Sequence, residues 1–155
     1  MDRTIIGISS QSSAHLMILL RDRFWRTLYG IGAITVISGV VQCAAPGLLL
    51  QVVSPEVTLA SKHFLMITGV LTASFGALLM HALVRSDAQH VAVLWTGIQK
   101  ILAAAAVGLA IQDNIFSLYA LAAGVFDLVA GVMIVAYWYW IKQLQQEEQA
   151  VQGAL

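Results

Sequence analysis

The chain has 155 residues, 59% hydrophobic and only 10% charged, with a formal net charge of zero and a mean hydropathy of +0.83. A soluble core of this size does not need so much apolar sequence, so the surface itself is expected to face lipid. The neutral balance, with no basic tract, argues against a nucleic-acid partner. The single cysteine, Cys43, excludes an internal disulfide and the paired-cysteine chemistry of membrane thiol oxidoreductases.

Residues 1–26 read as a cytoplasmic and interfacial segment. Arg3 is followed by a brief apolar patch with no small-residue cleavage pattern, so a signal peptide is not expected. Ala14–Leu20 is too short to span. With Arg21, Asp22, Arg23 and Arg26 after it, and Phe24 and Trp25 as anchors, it reads as an amphipathic helix at the interface. The first span covers about 27–45 and ends at Pro46-Gly47. Leu48–Val53 is a short apolar patch suited to the membrane surface or the bundle's end. Ser54 and Pro55 suit the cap and first position of the next helix. The second span covers about 62–84 and the third about 91–111, with Asp87 as the expected cap of the third. The fourth, 115–141, ends in the aromatic belt Tyr137-Trp138-Tyr139-Trp140, and 142–155 is a polar tail with helical character. The expected fold is therefore all-α: a single-domain four-helix transmembrane bundle preceded by an interfacial amphipathic helix.

With four spans both termini share one side. That side carries Arg3, Arg21, Arg23, Arg26, Arg85 and Lys142, and the other only Lys62. The positive-inside rule then places both termini in the cytoplasm, in an inner membrane of bacterial type.

Two formal charges lie inside the hydrophobic runs. Lys100 is 13 residues before Asp113, in the polar turn Gln112-Asp113-Asn114, and Asp127 is 14 residues after it. At about 1.5 Å per residue both sit roughly 20 Å from that turn, at equal depth on antiparallel neighbours. An unpaired charge at mid-membrane is costly, so the two are expected to meet. Each is bracketed by small residues on its own face: Gly97 and Ala104 around Lys100, Gly124 and Gly131 around Asp127. The first two spans repeat the layout with a hydroxyl, as Gly32-Thr35-Gly39 and Gly69-Thr72-Gly76. Thr35, Thr72, Lys100 and Asp127 thus form one expected polar layer. Gln99, about 100° round the helix from Lys100, is expected to line a neighbouring interface. Such a pair serves equally as a lock on helix register or as a working site.

Other chemistry is thinly supported. His81, Asp87 and His90 could converge on a metal near the 85–90 turn, but a solvated loop is the favoured reading, and His63 with Glu56 is weaker still. No nucleophile sits in a motif with its base and no glycine-rich phosphate loop appears. No cofactor is expected from motifs, although a quinone or a lipid is a molecule such a chain could hold.

Between about residues 26 and 141 the chain resembles the small bacterial four-span proteins of the DoxX-like kind and related families. The likeness rests on Arg26 before the first span, on Leu79-Met80-His81-Ala82-Leu83, on the Gly97-x-x-Lys100 step and on Phe126-Asp127-Leu128. The resemblance implies an accessory subunit of a respiratory quinol oxidase for some members of that group, with Lys100 and Asp127 the residues to watch. The favoured expectation is a non-catalytic subunit or assembly factor, in contact with lipids and with other membrane subunits or further copies of itself. The alternatives are a small proton-coupled or solute transporter working as an oligomer, and a membrane enzyme acting on a lipid or quinone. Gly30 and Gly108, off the polar layer, are candidates for an oligomer contact.

Overall fold

A computed structural model of the chain describes residues 3–85 and 90–153, with side chains from Arg21 onward except Glu148 and Val151. The elements are α1 (Arg3–Ala44), α2 (Pro46–Val53), α3 (Leu59–Val84), α4 (His90–Gln112), a 3-10 turn at Leu118–Ala120, and α5 (Leu121–Gln152), with no strand among the described residues. Four segments are long and apolar enough to cross a membrane: Arg21–Ala44, Leu59–Val84, His90–Gln112 and Leu118–Glu147. The protein is an all-α, four-helix transmembrane bundle. The helix expected over Ala14–Leu20 is present and runs without a break into the first span, because no proline lies between Arg3 and Ala44 to stop it.

The helix ends follow their local chemistry. Pro46, which lacks the N–H that would bond back along α1, opens α2 instead. The cap of α3 is Thr58, not Ser54: Thr58 and Ser61 exchange hydrogen bonds in a capping box, with Ser61 N donating to Thr58 Oγ1 at 3.0 Å. Ser54 closes α2, its N–H donating to Leu50 O at 2.8 Å. α4 stops in a Schellman turn at Asn114, whose φ of 58° is left-handed. Asn114 N donates to Ile111 O at 3.1 Å and Ile115 N to Ala110 O at 2.8 Å. The cap expected at Asp87 lies outside the described residues.

The helices associate as two hairpins. α1 packs along α3, and α4 along α5, while the hairpins meet more narrowly, α3 against α4 and α1 against α5. Within the bilayer, apolar contact between helices gains little over contact with lipid tails, so close backbone approach must supply the attraction. The glycines provide it. A Cβ on Gly39 would lie 2.5 Å from Gly69 O and from Ala73 N, and one on Gly76 would lie 2.8 Å from Gly32 O. In the other hairpin a Cβ on Gly131 would lie 2.9 Å from Gly97 O. Ile34, Ile37, Ile67 and Leu71 point outward, as lipid-facing residues do.

The end of the bundle near the termini is packed solid. Leu28, Ile31, Leu79, Ala82, Val93, Ala130, Ile134 and Tyr137 form its core. Phe24 stacks on Tyr137 with centroids 6.0 Å apart, and Trp25 Nε1 donates to Leu83 O at 2.9 Å, tying α1 to the last turn of α3. Arg21, Arg23, Arg26, Arg85 and Lys142 belong to this end and Lys62 to the other. Gly39→Ala should force the α1 and α3 backbones apart and cost about 1–3 kcal/mol. Gly108→Ala, whose new methyl meets nothing within 4 Å, should stay within about 0.5 kcal/mol of the parent in thermal unfolding of the detergent-solubilised protein.

Candidate functional site

At the opposite end the two hairpins do not fill the space between them. They enclose a cavity of about 740 Å³. Its walls come from the second half of the first span (Thr35, Ser38, Gln42), the first half of α3 (Leu65, Thr68, Thr72), the second half of α4 (Gln99, Lys100, Ala103) and the start of α5 (Ala123, Phe126, Asp127). α2 lies across the end as a roof, contributing Leu49, Leu50 and Val53. Hydrogen bonds fasten this roof to the α4–α5 connection. Ser117 N donates to Val53 O at 2.8 Å, Ser117 Oγ to Val52 O at 2.9 Å, and Ser54 Oγ to Ile115 O at 3.3 Å.

All four residues of the expected polar layer line this cavity. Lys100 is buried, 2% exposed, and its Nζ donates to Asp127 Oδ1, while the Asp127 side chain is 23% exposed. The Lys100 ammonium also sits over the Phe126 ring, 5.2 Å from its centroid. The contact follows from the hairpin: Gly97 and Gly131 bring α4 and α5 close, and Ala104 continues that seam towards Gly124. Thr35 is buried and its hydroxyl donates to Ile31 O on its own helix at 2.8 Å. Thr72 is half-buried on the facing wall. Gln99 turns into the cavity beside Lys100, and its Oε1 is buried without a hydrogen-bond partner.

Several lining residues lay outside the expected layer. Gln42 is the most informative: its Nε2 donates to Ser38 Oγ at 3.4 Å, and its Oε1 is buried and unpartnered. The signal was in the spacing. Thr35, Ser38 and Gln42 continue one face of the first span, and Ser61, Leu65, Thr68 and Thr72 one face of the second, at helical offsets of three and four. Thr96, one turn before Lys100, is fully buried but bonds back to Ala92 O at 2.8 Å, a structural role.

Among the described residues no three His, Cys, Asp or Glu side chains come together as a metal site would require. Of the metal candidates His81, Asp87 and His90, Asp87 lies outside the described residues. Cys43 is a free thiol whose Sγ donates to Met66 O at 3.3 Å. The chain matches no protein-family model, no curated protein and no solved structure.

Chemically, the arrangement is a mostly apolar chamber with a neutral ion pair and a few amide and hydroxyl groups on its wall, the usual composition of a small-molecule pocket. Lys100→Met alone should leave the Asp127 charge without its partner and cost about 3–5 kcal/mol. Lys100→Met with Asp127→Leu should recover most of that loss. Thermal unfolding of both single variants and the double variant, read as a double-mutant cycle, measures the coupling.

Proposed function

We propose that this protein is a multi-pass protein of a bacterial inner membrane, both termini cytoplasmic, that holds a lipid-like or quinone-like small molecule between its hairpins. On this reading it is a non-catalytic subunit or assembly factor of a larger membrane complex. The cavity carries the proposal. Its volume falls in the usual range for ligand pockets, roughly 300–1,000 Å³, it lies in the half of the bundle away from the termini, and its wall is largely apolar. The cytoplasmic placement of the termini is supported by the five cations of the packed end. Membership of the DoxX-like group is part of the same reading, on the residues quoted above.

One observation favours a second reading, a proton-coupled carrier. The Lys100–Asp127 pair faces the cavity rather than being sealed in the packed core, so a molecule arriving there meets an intramembrane charge pair. A carrier of this size would work as a homo-oligomer, and Gly30 and Gly108 leave open surface where another helix could approach.

Native mass spectrometry of the gently extracted protein from its own host separates the two. The subunit reading expects a heteromeric mass, and a bound small molecule that is lost on Ala123→Trp, which fills the cavity. A homo-oligomer whose transport is abolished by Asp127→Asn with the fold intact would favour the carrier. Loss of neither ligand nor partner on filling the cavity would overturn the proposal.

A further inference from the structure

We propose that the molecule held in the cavity is a neutral lipid-like compound whose polar end carries hydroxyl groups, donating hydrogen bonds to Gln42 and Gln99 beside the Lys100–Asp127 pair. This rests on the ligand-binding reading above and specifies its chemical class. It follows from which hydrogen-bonding groups of the cavity are already used.

The donors are spent. Thr35 and Thr68 give their hydroxyl protons to Ile31 O and Phe64 O one turn back, at 2.8 and 2.9 Å. Lys100 donates to Asp127. A threonine hydroxyl has one proton and two lone pairs, so after such a bond only acceptor capacity remains. Acceptors are left over. The Oε1 atoms of Gln42 and Gln99 are buried and unpartnered, and the bond from Gln42 Nε2 to Ser38 Oγ leaves Oε1 as the free end of that amide. Asp127 keeps Oδ2 after Lys100 has taken Oδ1. A buried acceptor without a donor is destabilising, and a bound molecule that supplies protons relieves it. A ketone or quinone oxygen only accepts, and would leave both glutamines unmet.

Charge narrows the class further. The ammonium and carboxylate cancel, so the wall presents no net charge to a ligand. An anionic head would have to take Lys100 from Asp127, and a cationic head Asp127 from Lys100. Either exchange strands one member of the pair in a low-dielectric site. A neutral polyol or phenol does neither. Its chain would lie along Leu49, Leu50 and Leu65 under the roof.

The test uses the full-length protein in lipid nanodiscs and probes sharing one oleoyl chain: monooleoylglycerol, methyl oleate, oleate and oleylamine. Binding is measured by native mass spectrometry. Monooleoylglycerol should bind at least about tenfold more tightly than methyl oleate, and Gln42→Leu and Gln99→Leu should each weaken it by about five- to tenfold while leaving methyl oleate unchanged, as the loss of one hydrogen bond requires. Because each substitution removes an unpartnered buried oxygen, the ligand-free variants should melt no lower than the parent. If oleate or oleylamine binds tightest, or the glutamine variants bind monooleoylglycerol as the parent does, the hydroxyl class is wrong although the cavity still binds. If Ala123→Trp leaves the binding of every probe unaltered, the ligand-binding reading itself fails.

Discussion

The bundle depends on backbone contact between glycines. A helix already surrounded by lipid gains little by exchanging acyl chains for another apolar helix, so stable pairing needs contact closer than lipid can offer. Gly39 against Gly69, Gly32 against Gly76 and Gly97 against Gly131 give that contact, in each hairpin on the face that carries the central polar residue. The spacing that lets the helices close also points Thr35, Thr72, Lys100 and Asp127 inward. Packing and polarity are thus set by one repeated pattern: a small residue, a polar residue three positions on, and a small residue four beyond that.

Two tight hairpins need not make a tight bundle. Large side chains fill the interval near the termini, where Leu79, Ile134 and Tyr137 meet Leu28 and Phe24. Beyond the polar layer the facing residues are small or slender, such as Ser38, Thr68, Ala103 and Ala123, and they do not reach across. The cavity is the space these short side chains leave. Its neutral wall follows from the ion pair: Lys100 and Asp127 both lie deep enough that each is tolerable chiefly because of the other.

Much of this was legible in the sequence. Counting residues from the Asp113 turn placed Lys100 and Asp127 at one depth, and hydropathy with the aromatic and arginine markers placed the spans. The reason is that a helix in a membrane has its length and its inward face fixed by the solvent around it. Gln99 was assigned to a neighbouring interface because angular offset says where a side chain starts, not where a long one ends. The start of α3 shifted from Ser54 to Thr58, because Ser54 was already engaged in closing α2. The cavity could not be read at all. Empty volume depends on how two hairpins diverge, and no single segment encodes that.

The roof over the cavity has a mechanical consequence. The chain passes between the hairpins once, between α3 and α4, at the packed end, whereas α2 belongs to the first hairpin. At the far end the hairpins are joined across the roof by hydrogen bonds from Ser54 and Ser117 to backbone carbonyls. The molecule is therefore built like tweezers, with an aromatic pivot and a small polar clasp at the tips. Widening the chamber would break a few hydrogen bonds and leave the core untouched, so what the cavity admits is governed by the clasp rather than by the stability of the fold.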